Sequence, residues 1–151
     1  VAESAVASGL PESKAAEMDE RWDKLRPWPE ATDVVSALAS RKTVAVVTNC
    51  SERLGERAAA RVSTCFDVVV TAERAGYYKP SPQIYGIALE ELGVAAERVL
   101  YVAGSPFDVC GAHALGMPVY WHNRIGLAHG EAEAIALDVR ADLHGLPELI
   151  S

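Results

Sequence analysis

No apolar run in these 151 residues reaches the roughly 20 that a membrane-crossing helix needs, so a spanning helix is not expected. No charged-then-apolar leader opens the chain, which reads against secretion, although the first residue is Val1 and not Met, pointing to processing or a partial reading frame. An excess of basic residues is also missing: Lys and Arg total 14 against 21 Asp and Glu, for a net charge of −7. With the two signs interspersed and no basic face, nucleic acid is not an expected partner. Any anionic ligand must then be drawn in locally, by a lysine or by backbone N–H groups. Cysteine is scarce, with Cys50, Cys65 and Cys110 odd in number and without CxxC spacing. They read as buried free thiols in a reducing compartment, and a cytoplasmic location follows. His113, His122, His129 and His144 show no metal-ligand spacing. There is no internal repeat and no low-complexity segment.

What is present is ordinary for a globular protein: 50% apolar residues and 23% charged. The length suits one domain with a real core, or a domain with a small appendage. Residues 1–25 read as amphipathic helix, broken at Gly9-Leu10-Pro11, with Pro11 and Glu12 forming a helix start. The stretch Trp22-Asp23-Lys24-Leu25-Arg26-Pro27-Trp28-Pro29 cannot be helix interior, because its prolines remove donors and restrict the preceding residues. It is the candidate domain junction.

Beyond it, strands and helices alternate. Helices are expected over residues 31–40, 51–61, 72–75, 81–92 and 107–115, the last ended by Gly116 as a C-cap glycine would end it. Strands are expected over 43–47, 68–70, 99–102 and 118–121, and the tail holds one more near 136–139 before a last helix near 146–150. The strands are continuously apolar and β-branched, the mark of strands covered on both faces. The fold class is therefore α/β: a Rossmann-like three-layer sandwich around a parallel sheet with right-handed crossovers.

Three positions after strands carry chemistry. Thr48 and Asn49 stand where the first strand gives way to a helix, and a hydroxyl, an amide and free helix N–H groups there bind an oxyanion. Equally, Thr48, Asn49 or Ser51 caps that helix. Lys79 lies between Tyr77-Tyr78 and Pro80-Ser81-Pro82, with Ser81 a candidate cap for the next helix. Stiff neighbours make Lys79 an electrostatic clamp; a solvated surface lysine is the plainer alternative. Asp108 opens a helix directly after the third strand, as a cap stabilised by the helix terminus or as the carboxylate that pairs with Lys79, orients it and positions water. In open parallel sheets ligands bind at these strand ends.

The order and spacing of these residues resemble the haloacid dehalogenase superfamily of aspartate-nucleophile hydrolases. The resemblance is carried by Val46-Val47-Thr48-Asn49, by Tyr78-Lys79-Pro80-Ser81-Pro82, and by Val102 through Asp108 continuing into Gly111-Ala112 and Ala114-Leu115-Gly116-Met117. The junction around Leu25 and Pro27-Trp28-Pro29, and Trp121-His122-Asn123-Arg124, are similar to the 2-haloacid dehalogenase branch. It implies residues 1–28 as the last part of a helical cap with its linker, and 29–151 as a core lacking its first strand. It further implies an aspartate that attacks the substrate, giving an ester that water then cleaves. Lys79 and Asp108 are the implied catalytic residues; Thr48, Asn49, Ser105 and Tyr85 are the implied substrate-binding ones, with packing on its helix the alternative for Tyr85. Homodimers are implied too.

Two departures from the pattern matter. Phosphatases of the superfamily carry a magnesium-binding acid four positions before Asp108, where this chain has Gly104. Magnesium favours carboxylate oxygens, so no cofactor is expected, magnesium entering only with phosphatase chemistry. The dehalogenase branch has serine and asparagine where Ala103 and Ser105 stand, and Ala103 brings no hydroxyl. The second departure is the front: Asp67 precedes its strand and so falls at the wrong end of the sheet. The nucleophile, the first core strand and half the cap are expected upstream of Val1, leaving these residues inactive alone and prone to associate through bare edges. The expected function is carbon–halide hydrolysis on a small anionic organic substrate. The alternatives are a phosphatase of small phosphoesters and a non-catalytic anion-binding module.

Overall fold

The structure, a computed structural model, describes residues 6–63 and 66–150, with backbone alone at Glu12. The expectation for Cys65 lies outside the described residues; Cys50 and Cys110 are free thiols and only half-buried. Pro11, extended at φ −60° and ψ 145°, leads into α1 (Glu12–Trp22). Next come α2 (Ala31–Ala39), β1 (Ala45–Thr48), α3 (Glu52–Val62), β2 (Val68–Thr71), α4 (Ala72–Ala75), α5 (Pro82–Leu92), β3 (Tyr101–Ala103), α6 (Pro106–Ala114) and β4 (Val119–His122). The chain ends with α7 (Gly130–Ile135), β5 (Asp138–Arg140) and α8 (Leu146–Leu149).

The alternation read from the sequence is present, with ends shifted by one to three residues. β1 begins two residues later than expected and runs through Thr48. Gly116, at φ +89°, takes the left-handed turn after α6 that a Cβ would disfavour. Two short elements were not foreseen, a 3-10 turn at Ala96–Arg98 and α7; α7 is too short and too acidic to show an apolar stripe, and it starts because the His129 ring Nδ1 accepts from Ala132 N–H at 3.3 Å. Ser81 does not cap α5 through its side chain; its hydroxyl turns to the Gln83 amide oxygen instead.

Alternate residues of β4 show how the layers form. Val119 and Trp121 join a core made with Ile84, Tyr85 and Ala88 of α5, Val109 and Ala112 of α6, and Ala132 of α7. Tyr120, pointing the other way, joins Ala31, Val34 and Leu38 of α2 and Leu146 of α8. Helices therefore cover both faces of a parallel sheet, and β4 is buried at every position.

That sheet is in two pieces. β1 pairs in parallel with β2, Ala45 opposite Val68 and Thr48 opposite Thr71. β3, β4 and β5 form a separate parallel set. Among the described residues β1 and β3 are not bonded to each other, so each turns one unpaired edge toward the other. Asp67 ties the N-terminal end of the first pair, its carboxylate accepting from Val44 N–H at 2.9 Å and its own N–H donating to the Val44 carbonyl at 2.8 Å. This confirms that Asp67 lies at the end remote from Thr48.

α1 rests on α3. Asp19 meets Arg53 and Arg57 at 2.8 and 2.7 Å, Asp23 meets Arg57 at 2.8 Å, and the Trp22 indole N–H donates to the Leu54 carbonyl at 2.8 Å. The ion pairs are largely solvated and fix orientation more than they stabilise. No helix among the described residues is long and apolar enough to cross a membrane.

Candidate functional site

The residues that follow β1 and β3 meet at Lys79. Asn49, one residue past β1, uses its whole amide on the backbone of Lys79: Oδ1 accepts from Lys79 N–H at 2.7 Å, and Nδ2 donates to the Lys79 carbonyl at 3.1 Å. The lysine is thereby held from its main chain, with Pro80 following through a cis peptide bond. Its ammonium reaches Asp108 Oδ2 at 2.9 Å, both side chains being about 15% exposed (15% and 14%). The other carboxylate oxygen, Oδ1, accepts from the Tyr85 hydroxyl at 3.0 Å. Ser105, the residue that caps α6, accepts from Asp108 N–H at 3.2 Å. Asn49, Lys79, Tyr85, Ser105 and Asp108 thus form one connected cluster.

The same geometry decides between the alternatives left open by sequence. Lys79 is not a solvated surface lysine. Ser51, not Asn49, caps α3, accepting from Leu54 N–H at 3.4 Å. Asp108 sits in the first turn of α6, where the helix terminus favours its charge, but both of its oxygens are spent on Lys79 and Tyr85. Thr48 is the least integrated of the set: its hydroxyl donates to the Cys50 sulfur at 3.2 Å.

Two residues to which the sequence assigned no role shape the cluster. Tyr101, on β3, meets Tyr85 edge to face with ring centroids 5.4 Å apart. Burial, then the Asp108 charge, pushes both phenols well above the ordinary tyrosine range, so both stay protonated at neutral pH. A tyrosine inside an apolar strand carries no signal beyond that of a core residue. Gly111 is the other: a Cβ there would stand 2.9 Å from Pro80 Cβ and 3.0 Å from the Tyr85 hydroxyl. Only glycine lets α6 close on the Lys79 loop. The sequence showed Gly111 within a familiar pattern but gave no reason for it.

At the end of β4, Trp28 packs edge-on to His122, with centroids 6.3 Å apart, and the Arg124 guanidinium lies 4.6 Å from the Trp28 ring centre. Arg124 also pairs with the buried Glu30 at 2.9 Å. The junction is thus pinned to the end of β4 by stacking and charge together.

Between the edges of β1 and β3 opens a cavity of about 870 Å³, walled by residues 44–47 and 99–102 and bounded at one end by Lys79, Tyr85, Gly104 and Asp108. Its lining is mostly apolar, with Lys42, Glu97 and Arg98 the other charged residues on its wall. The donor set there suits a magnesium ion poorly, since Gly104 offers no carboxylate and Asp108 is doubly engaged. No three His, Cys, Asp or Glu residues gather to hold a metal among the described residues.

Residues 3–116 match the haloacid dehalogenase-like hydrolase family. The chain is 32% identical to haloacetate dehalogenase H-2 of Moraxella sp. (strain B) over 80% of its own length and 55% of that protein. Among solved structures it resembles L-2-haloacid dehalogenase from Xanthobacter autotrophicus with chloropropionic acid covalently bound, at TM-score 0.79 and 25% identity, covering 99% of this chain and 71% of that one. A phosphatase of the superfamily from Thermococcus onnurineus is similar at TM-score 0.77 and 26% identity, covering 89% and 62%. The chain spans about half the length of the curated relatives it matches.

Proposed function

Because this chain belongs to the haloacid dehalogenase-like hydrolases, we propose that it is the Lys79–Asp108 part of a metal-independent 2-haloacid dehalogenase-type enzyme acting on a small anionic organic acid. The nucleophile is a carboxylate supplied by a segment outside these 151 residues. Its oxygen attacks the halogen-bearing carbon, the carbon–halogen bond breaks with its electron pair leaving as halide, and an ester to the enzyme forms. Water then attacks the ester carbonyl, returning the carboxylate and releasing the hydroxy acid. The Lys79 ammonium balances the nucleophile and the substrate carboxylate. Asp108 holds that ammonium in place and positions the water, while Tyr85 donates to its other oxygen. Asn49 fixes the Lys79 loop, and the hydroxyls of Thr48 and Ser105 are the donors for the substrate carboxylate.

The observation that carries this reading is the half-buried Lys79–Asp108–Tyr85 cluster at the strand ends with Gly104 in place of a second acid. The relatives named as haloacetate and 2-haloacid dehalogenases support it. The likeness to a phosphatase keeps one competing reading, hydrolysis of a small phosphoester. Halide release from 2-chloropropionate by the full-length enzyme in the presence of a chelator tests the choice. Chelator-resistant halide release supports the dehalogenase; magnesium-dependent phosphate release without halide release assigns a phosphatase.

In the same reading residues 1–28 are the end of a cap and its linker and 29–151 the core. The protein is cytoplasmic, in keeping with the free thiols of Cys50 and Cys110, and works as a homodimer, which light scattering on the full-length enzyme reads directly.

A further inference from the structure

α4 is one turn long, too short to hold itself in water, and it ends four positions before Lys79. Its place is set by bonds to three other elements. The Thr71 hydroxyl at the end of β2 accepts from Arg74 N–H at 3.2 Å and starts the helix. The Arg74 guanidinium donates back to the Val69 carbonyl of β2 at 2.6 Å and across to the Glu91 carboxylate of α5 at 2.7 and 3.1 Å. Glu73 reaches the start of α3. Its Oε2 accepts from Glu52 N–H at 2.7 Å, and its own N–H donates to the Cys50 carbonyl at 3.5 Å.

Glu73 therefore holds the turn between β1 and α3 on both sides of Ser51. A carboxylate at the first N–H of a helix is favoured by the helix terminus and makes a short, charge-assisted bond. Packing confines the same turn. A Cβ at Gly55 would stand 2.8 Å from Thr71 Cγ2 and 3.0 Å from Thr48 Cγ2, so α3 lies directly against the paired ends of β1 and β2. Asn49, at the start of this turn, holds the Lys79 main chain by its two amide bonds. The two clamps close a ring: residue 73 is bonded to residues 50 and 52, and residue 79 to residue 49. The segment 73–79 is thus tied at both ends to one short turn, which takes away conformational freedom that an untethered loop keeps.

We propose that Glu73 is a positioning residue for Lys79: by clamping the turn that carries Asn49, it fixes the Lys79 main chain so that the ammonium is presented to Asp108. Glu73 touches none of the reacting groups itself; it acts through Asn49. Arg74 supports it by tying α4 to α5, the helix from which Tyr85 reaches the other oxygen of Asp108. Both partners of Lys79, one on its main chain and one on its side chain, are in this way referred to the same four-residue helix. That the presented lysine serves turnover rests on the function proposed above; the positioning does not.

The test compares Glu73→Ala and Glu73→Gln in the full-length enzyme, by amide hydrogen exchange and by steady-state kinetics. Glu73 is exposed, so neither variant opens a cavity. The Lys79 N–H, which donates to Asn49, is expected to exchange about tenfold faster in Glu73→Ala while the amides of β4 keep their native rates. In the same variant kcat falls about tenfold and KM stays near its native value. Glu73→Gln keeps an acceptor oxygen for Glu52 N–H and restores most of both. In an Asn49→Ala background Glu73→Ala has no further effect on either readout, because the link it acts through is already gone. Native exchange at Lys79 in Glu73→Ala overturns the proposal, as does an undiminished effect in the Asn49→Ala background. Faster exchange at β4 to the same degree as at Lys79 overturns it too, since that is a loss of overall stability. The exchange readout needs no substrate: a response there without halide release leaves the positioning standing and removes the dehalogenase reading, and halide release without that response does the reverse.

Discussion

Gly111 and Gly86 both lie inside helices, α6 and α5, and the same substitution at each is expected to have opposite effects. A Cβ at Gly86 meets nothing within 4 Å. Gly86→Ala then adds only the helix preference of alanine and reduces the freedom of the unfolded chain, a stabilisation of about 0.5–1 kcal/mol. A Cβ at Gly111 meets Pro80 Cβ at 2.9 Å, the Tyr85 hydroxyl at 3.0 Å and the Pro80 carbonyl at 3.1 Å. None of these yields easily. The Pro80 atoms belong to a ring and to backbone, and the Tyr85 hydroxyl is held by Asp108. Gly111→Ala gains the same preference but forces α6 and the Lys79 loop apart by a few tenths of an ångström, an overpacking cost of about 1–3 kcal/mol. Since the preference is common to both variants, the difference between their unfolding free energies isolates that cost. Urea unfolding of both, at equal slope, measures it. The displacement also separates Lys79 from Asp108, so in the full-length enzyme Gly111→Ala lowers turnover while Gly86→Ala does not. Equal stabilisation by the two variants, with turnover retained in both, would refute the claim that close approach at Gly111 builds the site.

Asp108→Asn leaves the Lys79 ammonium in a largely buried place with no counter-charge and is expected to destabilise by about 2–4 kcal/mol. Adding Lys79→Met should recover much of that loss, and a double-mutant cycle by urea unfolding that finds no coupling would show the pair to be unimportant to folding. The His122 imidazole is held below its ordinary pKa of 6.5, first by burial and then by the nearby Arg124 charge, with Glu30 opposing. The unfolded chain takes up that proton near 6.5 and the folded chain only lower, so His122 favours folding above 6.5 and the advantage fades as pH falls below it. Glu30 is held below its usual 4.5 and acts in a lower range. His122→Asn should flatten stability between about pH 8 and pH 5, and an unchanged slope would shift the effect to another group. The 151-residue chain alone should associate as its concentration rises, through the unpaired edges of β1 and β3; a concentration-independent monomer by light scattering would count against open edges.

Legibility followed the range of each interaction. The alternation of β and α elements could be read because continuous apolar runs and helix stops are local, and each element was displaced by no more than a few residues. α7 escaped because its start depends on one ring nitrogen of His129 and not on a stripe of apolar residues. At the site, Lys79 and Asp108 were recognisable by order and spacing, and the structure brings them to 2.9 Å. Asn49 was read as facing an anion, whereas its amide is committed to the Lys79 main chain, a partner thirty residues away. Tyr101 gave no signal and Gly111 stood only as part of the family pattern, because the importance of both lies in what packs against them.

The sequence by itself determined the class of fold, the covered parallel strands and the identity of the charged pair, since composition and periodicity select elements and strand ends present their loops together. Only the tertiary structure decided which strands pair, and that β1 and β3 face each other across an unfilled groove. Pairing order is a property of long-range backbone edges, and an edge leaves no mark on the residues that form it.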